Sequence, residues 1–391
     1  MRRNNDNVTK PSSRPNNTNF SSGPCSKRPG WTFDVLKKAL VGRSHRSREA
    51  ELKLAEVVNL TREILEVPSD HRIGIMPGSD TGAVEASLWS LLGERGIDMA
   101  AWESFGFGWN KDVVEQLKLS DVRRFEAPYG EIPDLTQLDF DRDVVFTWNG
   151  TTSGVRIPNA DFIPDKRAGL TICDATSAAF AQYLDFSKLD VVTFSWQKVL
   201  GGEAAHGMVI LSPRAVERLE NHVPAWPMPQ LFCMTKNGKL NEDIFKGKII
   251  NTPSMLCVED FLDGLKWAKS LGGAAALRAR VEKNFSVFDA FVRKTPWLEY
   301  LAKDPEVRSN TSICLDIVDP VITALETEKR ISFIKAVVNR LDEEGVAYDI
   351  GSYRYAPPGL RIWAGITIEA SDLEILTQWL EWAFQVEKAQ L

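Results

Sequence analysis

Residues 191–202 read VVTFSWQKVLGG. The β-branched and aromatic run Val191–Phe194 passes into Ser195, Trp196, Gln197 and Lys198 and then a glycine pair, which predicts a core strand delivering a lysine at its carboxyl end. A buried ammonium is expensive, and open α/β sheets take ligands just beyond the carboxyl ends of their strands. Lys198 is therefore read either as a poised amine or as a surface lysine in a strand-to-loop turn.

Working outward, 72–76 (RIGIM), 144–148 (VVFTW), 170–173 (LTIC) and 208–211 (MVIL) are further short apolar runs bounded by Gly, Pro, Asp or Ser. Between the first two, Ala83, Val84, Ser87, Leu88, Leu91 and Leu92 follow a helical period. Strands that are continuously apolar and alternate with helices predict an α/β fold with a mostly parallel sheet covered on both faces. After about residue 265 the pattern changes to a helix over 277–292, a strand over 312–318, a helix over 329–344, strands over 347–350 and 360–364, and a last helix. That helix is expected to open on a capping box, Ser371 with Glu374, and to bury Leu373, Leu376, Leu380, Ala383 and Phe384. The expected division is a disordered polar tail over 1–19, a large domain over 20–265 and a smaller α+β domain over 266–391. No internal repeat is visible.

Composition narrows the function classes. The 391 residues are 43% hydrophobic and 26% charged, globular proportions, and no apolar run approaches a membrane span, so a soluble protein is expected. Lys and Arg total 47 against 53 Asp and Glu, a formal charge of −6, which gives no general basic field for nucleic acid. An anionic ligand must meet local cations. The five cysteines (25, 173, 233, 257, 314) make no CxxC pair, and with only four histidines they argue against zinc or a disulfide framework. No metal is expected, and a reducing cytoplasm is the default compartment.

A second strand, 170–173, ends in Asp174. A strand-end aspartate and a strand-end lysine in one sheet are what pyridoxal phosphate requires: the amine reacts with its aldehyde, and the carboxylate keeps the ring nitrogen protonated. Asp174 alone would equally serve as a helix N-cap or Asx-turn. Residues 76–83 (MPGSDTGA) form a glycine-bounded strand-to-helix turn whose amides could face a phosphate, or an ordinary βα turn. They match neither GxxxxGK[ST] nor GxGxxG.

The combination of SWQK at 195–198, Asp174, GSDTG at 78–82, NGTTSG at 149–154, NTPS at 251–254, SSGP at 21–24 and SHR at 44–46 resembles the phosphoserine aminotransferases. These are fold-type I, pyridoxal-phosphate enzymes of the class V aminotransferase group. The resemblance runs from about Phe20 to the C-terminus. It implies that Lys198 is the Schiff-base lysine and Asp174 the partner of the pyridine nitrogen. It further implies that Gln197 and the turn Ser79, Asp80 and Thr81 hold the cofactor phosphate, that Thr151 bonds the ring hydroxyl, and that Phe105 stacks on the ring. Asn251 and Thr252 would reach the phosphate bound in a neighbouring subunit, hence a homodimer with shared sites. Ser22, His45, Arg46 and Arg361 would surround the substrate.

Two positions depart from the family pattern. Many members stack a tryptophan where this chain has Phe105, with Trp102 and Trp109 as the flanking alternatives. Some carry an arginine in the phosphate turn where this chain has Thr81, leaving Lys27, Arg28 or His206 to replace the cation. Arg361 lies within an apolar strand, where a guanidinium has either a substrate carboxylate or a structural Asp or Glu to bind. The cluster Arg43, His45, Arg46 and Arg48 precedes an amphipathic helix (Leu52, Leu54, Val57, Val58, Leu60) and is read as an anion-facing loop or a solvated face. Cys314 sits in an apolar strand and reads as a packed small hydrophobe. It does not look like the mobile nucleophile of a cysteine desulfurase.

The expected activity is amino transfer between glutamate and 3-phosphohydroxypyruvate in serine biosynthesis, with 4-phosphohydroxythreonine of pyridoxine biosynthesis as a further substrate of some relatives. The alternatives are another class V enzyme of the alanine–glyoxylate type, and a non-catalytic Rossmann-like binding module.

Overall fold

The apolar runs become strands because both of their faces are covered. In the computed structural model, which describes residues 9–391, α1 (Arg48–Leu65) leads to β1 (Arg72–Pro77), α2 (Ser79–Leu91), β2 (Ile97–Ala101), α3 (Ser104–Lys111), β3 (Val122–Glu126) and β4 (Asp143–Thr147). A short antiparallel pair, β5 (Asn149–Gly150) and β6 (Val155–Arg156), precedes β7 (Thr171–Asp174), β8 (Val191–Ser195), β9 (His206–Leu211) and α4 (Pro213–Asn221).

Seven of these strands form one sheet in the order β1-β9-β8-β7-β4-β2-β3. Only β9 runs against its neighbours; the pairings from β3 through β2, β4 and β7 to β8 are parallel. The register sets Thr147 beside Asp174 and Asp174 beside Thr193, so β4, β7 and β8 end at one level and the chain beyond each emerges on the same edge. Strands β2, β4, β7, β8 and β9 are buried along their whole length. The edge strand β3 exposes Arg123 and Arg124, and such charges keep an open edge from pairing with another chain.

The later chain forms the hairpin β10 (Thr235–Lys236) and β11 (Lys239–Leu240), then α5 (Met255–Ser270), α6 (Ala274–Val292), β12 (Leu298–Tyr300), β13 (Ser312–Ile317), α7 (Pro320–Thr323), α8 (Thr327–Glu343), β14 (Leu360–Trp363) and α9 (Ala370–Lys388). Strands β12, β13 and β14 make a separate antiparallel sheet in which Arg361 pairs with Cys314. The expected stripe of α9, Leu373, Leu376, Leu380, Ala383 and Phe384, is buried in full.

Three local expectations are corrected. The strand expected over 347–350 is reduced to a single bridge between Tyr348 and Asn19, because Asp349 turns into the left-handed region (φ 56). The capping box at Ser371 does not form: α9 starts earlier, with Glu369 as its N-cap. Of the tail expected to be disordered, the first eight residues lie outside the described residues, whereas the rest is laid along α9. Lys10 pairs with Glu344 at 2.6 Å, Ser13 O accepts from Trp379 Nε1 at 2.8 Å, and Asp372 takes the amide of Asn16 at 2.7 Å. A polar segment without a core of its own is thus ordered by hydrogen bonds to a folded surface and by Lys10 and Arg14 over the Trp379 ring. No helix among the described residues is long and apolar enough to cross a membrane.

Candidate active site

Beyond Ser195 the chain turns sharply, and Trp196 anchors the turn by stacking on Phe261 with ring centroids 4.7 Å apart. Gly201 makes the next step possible. Its φ is +65°, and a Cβ there would sit 2.1 Å from the Ser26 carbonyl oxygen, so only glycine lets the segment around Ser22–Ser26 close over the lysine. Cys25 N donates to Gln197 O at 2.8 Å, and Lys198 Nζ donates to Ser22 O at 2.6 Å. Lys198 is 6% exposed. Burial pushes its ammonium below the usual lysine range, with Arg361 adding to the effect while Asp174 and Glu103 oppose it.

Asp174 ends β7 on the same edge. Its Oδ1 accepts from Thr176 N at 3.0 Å, the Asx-turn expected of such a residue, yet its Oδ2 accepts from the indole of Trp109 at 3.1 Å. Asp80, from the opening of α2, contacts Asp174 through its side chain. Burial raises both carboxyls, Asp80 well above the usual carboxylate range.

Glu103 was not among the candidates. It is fully buried, caps α3 by accepting from Phe105 N (2.8 Å) and Gly106 N (2.9 Å), and accepts from Thr152 Oγ1 at 2.8 Å. It therefore ties the helix bearing Phe105 and Trp109 to the NGTTSG loop. Burial raises its carboxyl to about 7 against these hydrogen bonds. The only signal in the sequence is an acidic residue directly before a helix.

Thr151 Oγ1 donates to Ser177 Oγ at 2.7 Å, and Ser312 Oγ bridges Thr151 O (2.7 Å) to Ser22 Oγ (3.1 Å). Arg361 has no carboxylate partner among the described residues, and its Nε is buried without a hydrogen bond. Its guanidinium lies 5.6 Å from the Tyr353 ring, which in turn packs on Phe105 at 5.7 Å. The structure thus brings Lys198, Asp174, Asp80, Thr151, Ser22, Phe105 and Arg361 into one connected set.

In the turn between β1 and α2, Gly82 is required because a Cβ would lie 1.9 Å from Pro77 O. Ser79 (φ 56) and Ala205 (φ 91) both occupy the left-handed region and bond to each other through Ser79 N and Ala205 O. Such strain concentrates at binding sites. Thr81 is exposed at this opening, and Gln197 Oε1 is buried without a partner.

Other candidates stand apart. Asn251 bonds only to Thr252 O, and the next residues are held by Ser254 N on His206 Nε2 at 3.2 Å. His45 is half-buried and Arg46 exposed, on the loop before α1. The three replacement cations do not serve. Lys27 pairs with Asp260 and Glu203, Arg28 is bidentate to Asp263, and burial lowers His206 to about 4, leaving it neutral. Arg354, missed in the sequence, follows Tyr353, is exposed and forms no ion pair among the described residues; it lies over Tyr355 at 4.7 Å. Trp102 is committed to the core, donating to Val155 O at 3.1 Å. Cys314 is buried, and burial raises its thiol to about 12, unlike a nucleophile.

These residues fit pyridoxal phosphate. The buried amine bonds to a backbone carbonyl, a carboxyl stands on the adjacent strand, and Asp80 Oδ1, Ser195 Oγ, Gln197 Oε1 and Arg361 Nε are unpartnered polar atoms on the surrounding segments.

No protein-family model matches the chain. It is 56% identical over 379 residues to a curated phosphoserine aminotransferase of Methanosarcina barkeri, covering 97% of this chain and 100% of the relative. Its fold is similar to a phosphoserine aminotransferase structure from Cytophaga hutchinsonii, with TM-score 0.78, 19% identity and 93% of this chain and 98% of that one covered. It is equally close to an alanine–glyoxylate aminotransferase from Nostoc, with TM-score 0.77, 19% identity and 96% and 97% covered. The fold therefore does not separate the two activities, whereas the identity to the Methanosarcina chain does.

Proposed function

The chain belongs to the phosphoserine aminotransferase family, and from that premise we propose how its own residues carry amino transfer between glutamate and 3-phosphohydroxypyruvate, a step of serine biosynthesis. The observation that carries the assignment of roles is the buried amine of Lys198, held on Ser22 O beside Asp174. Bound pyridoxal phosphate supplies an aldehyde for that amine and a ring that takes up the electron pair left when the α-proton departs. Asp174 would hold the ring nitrogen and Thr151 the ring hydroxyl, with Phe105 available to cover the ring. The amides of Asp80 and Thr81, at a helix opening with no carbonyl four residues back within α2, would hold the phosphate together with the Ser79 hydroxyl and Gln197, the Ser79 amide being taken by Ala205 O.

Lys198 Nζ, whose ammonium burial disfavours, takes the substrate's α-proton and later returns it. Arg361, free of any carboxylate partner among the described residues, receives the α-carboxylate, with Ser22 beside it. His45 and Arg46 read the phosphate of one substrate and the distal carboxylate of the other. Arg354 takes the place of the cation that Thr81 lacks. The same donor set suits 4-phosphohydroxythreonine.

The site is completed in a homodimer, in which Asn251 and Thr252 face the phosphate held by a second copy. Exposed Phe33 (78%), Val41 (69%), Leu52 (61%) and Val223 (88%) support a covered surface. Five free cysteines support a cytoplasmic location. A division into units over 20–265 and 266–391 is supported by the seven-stranded sheet lying in the first and the three-stranded sheet in the second. The purified protein, assayed with glutamate and 3-phosphohydroxypyruvate and separately with alanine and glyoxylate, should turn over only the first pair. Preference for the second pair would overturn the assignment of the anion-binding residues.

A further inference from the structure

Two buried carboxyls meet at the closed end of the site. Asp80, the second residue of α2, and Asp174, the last of β7, are each 6% exposed and in side-chain contact. Two contacting carboxylates in a buried site cannot both ionise, so the pair keeps one proton. The donor sets decide which acid holds it. Asp174 receives Thr176 N and the Trp109 indole, both fixed donors. Asp80 has only the hydroxyls of Thr193 and Thr176 nearby, no ion pair among the described residues, and an Oδ1 with no partner. A bare oxygen is tolerable on a neutral acid and costly on a carboxylate. The helix opening at α2 favours a negative Asp80, but this is weaker than burial against a second carboxylate.

We propose that Asp80 is a positioning residue: it carries a proton and donates it in a hydrogen bond to Asp174, holding that carboxylate charged and aimed at the cofactor's ring nitrogen. The inference rests on the role proposed for Asp174. It divides the part the sequence suggested for Asp80. The amide remains with the phosphate turn, while the side chain turns to Asp174, since a carboxyl facing a phosphate would meet like charge. Burial first, and then Asp174, hold the Asp80 acid well above its usual range. The other titratable groups around the pair are Lys198, Glu103, the Cys173 thiol and His206, which pairs with Ser79.

Infrared difference spectroscopy of the holoenzyme at about pH 8, above the titration of Glu103 near 7, reads the proton directly. A protonated-carboxyl C=O band is expected in the native protein and should vanish in Asp80→Asn, whose amide keeps the donor. Titrating apoprotein with pyridoxal phosphate should give near-native affinity for Asp80→Asn. For Asp80→Ala it should be roughly tenfold to a hundredfold weaker, the loss of a hydrogen bond to a charged group. Absence of the band from the native protein overturns the proposal whether or not the variants fold. A band that survives in Asp80→Asn, or native affinity in Asp80→Ala, overturns it too. Asp174→Ala separates this failure from failure of the premise. Native affinity in Asp174→Ala removes the role of Asp174 itself, whereas loss there with none in Asp80→Ala removes only that of Asp80.

Discussion

The indole Nε1 of Trp109 donates a 3.1 Å hydrogen bond to Oδ2 of Asp174, joining α3 to the end of a central strand. Phe105 lies one helical turn earlier on α3, so the helix that presents the ring proposed to stack on the cofactor also orients the carboxylate. Trp109→Phe keeps the buried ring and removes the donor. A hydrogen bond to a charged group contributes about 1.5–3 kcal/mol, so cofactor affinity in an apoprotein titration should fall roughly tenfold or more. Unchanged affinity would show that the indole only fills space.

Lys198→Ala removes the amine proposed to accept the α-proton. The native protein with pyridoxal phosphate is expected to be yellow and to bleach with borohydride, with cofactor becoming covalently attached. The variant should lose turnover by more than about a thousandfold and retain no covalent label. Circular dichroism matching the native protein would establish that folding is intact. A variant that still transaminates phosphoserine would remove Lys198 from the mechanism.

Much of the sheet could be read directly because β1, β4, β7, β8 and β9 are apolar runs with clear punctuation. Strands β2 and β3 could not. β2 carries Asp98, which looks polar until its pairing with Arg123 and Arg142 is seen, and β3 is an edge strand rich in arginine. The Lys198 and Asp174 pair was legible because both lie at strand ends. Glu103 and Arg354 were not, and Trp109 was read only as an alternative stacking ring, since their contacts run across the fold and spacing does not encode them. Lys27 and Arg28 show the converse: they are cations in a promising segment, but Asp260 and Asp263 on α5 neutralise them.

The substrate cations separate a phosphorylated substrate from a small one. In the proposed arrangement, charge-assisted hydrogen bonds from His45, Arg46 or Arg354 would act on the phosphate or distal carboxylate and not on the α-carboxylate. His45→Ala, Arg46→Ala and Arg354→Ala should each raise KM for phosphoserine roughly tenfold to a hundredfold, with alanine turnover changed far less. Steady-state kinetics with both amino donors decides it, and equal losses would favour a general structural role.

Glu103 gives the protein a pH dependence that can be isolated. Its carboxyl is raised from an ordinary 4.5 to about 7, chiefly by burial. Below the unfolded value both states are protonated and no stability is lost. As pH rises through the interval to about 7, the unfolded chain releases its proton first, so the folded state loses stability, by about 3 kcal/mol at the top of the window. Glu103→Gln removes the titration while its carbonyl still accepts from Phe105 N and Gly106 N and its amide can donate to Thr152 Oγ1. Denaturant unfolding of the apoprotein between pH 4.5 and 8 should therefore slope downward for the native chain more steeply than for the variant. Parallel pH profiles for the two proteins would mean that Glu103 is ionised throughout, held by its hydrogen bonds in spite of burial.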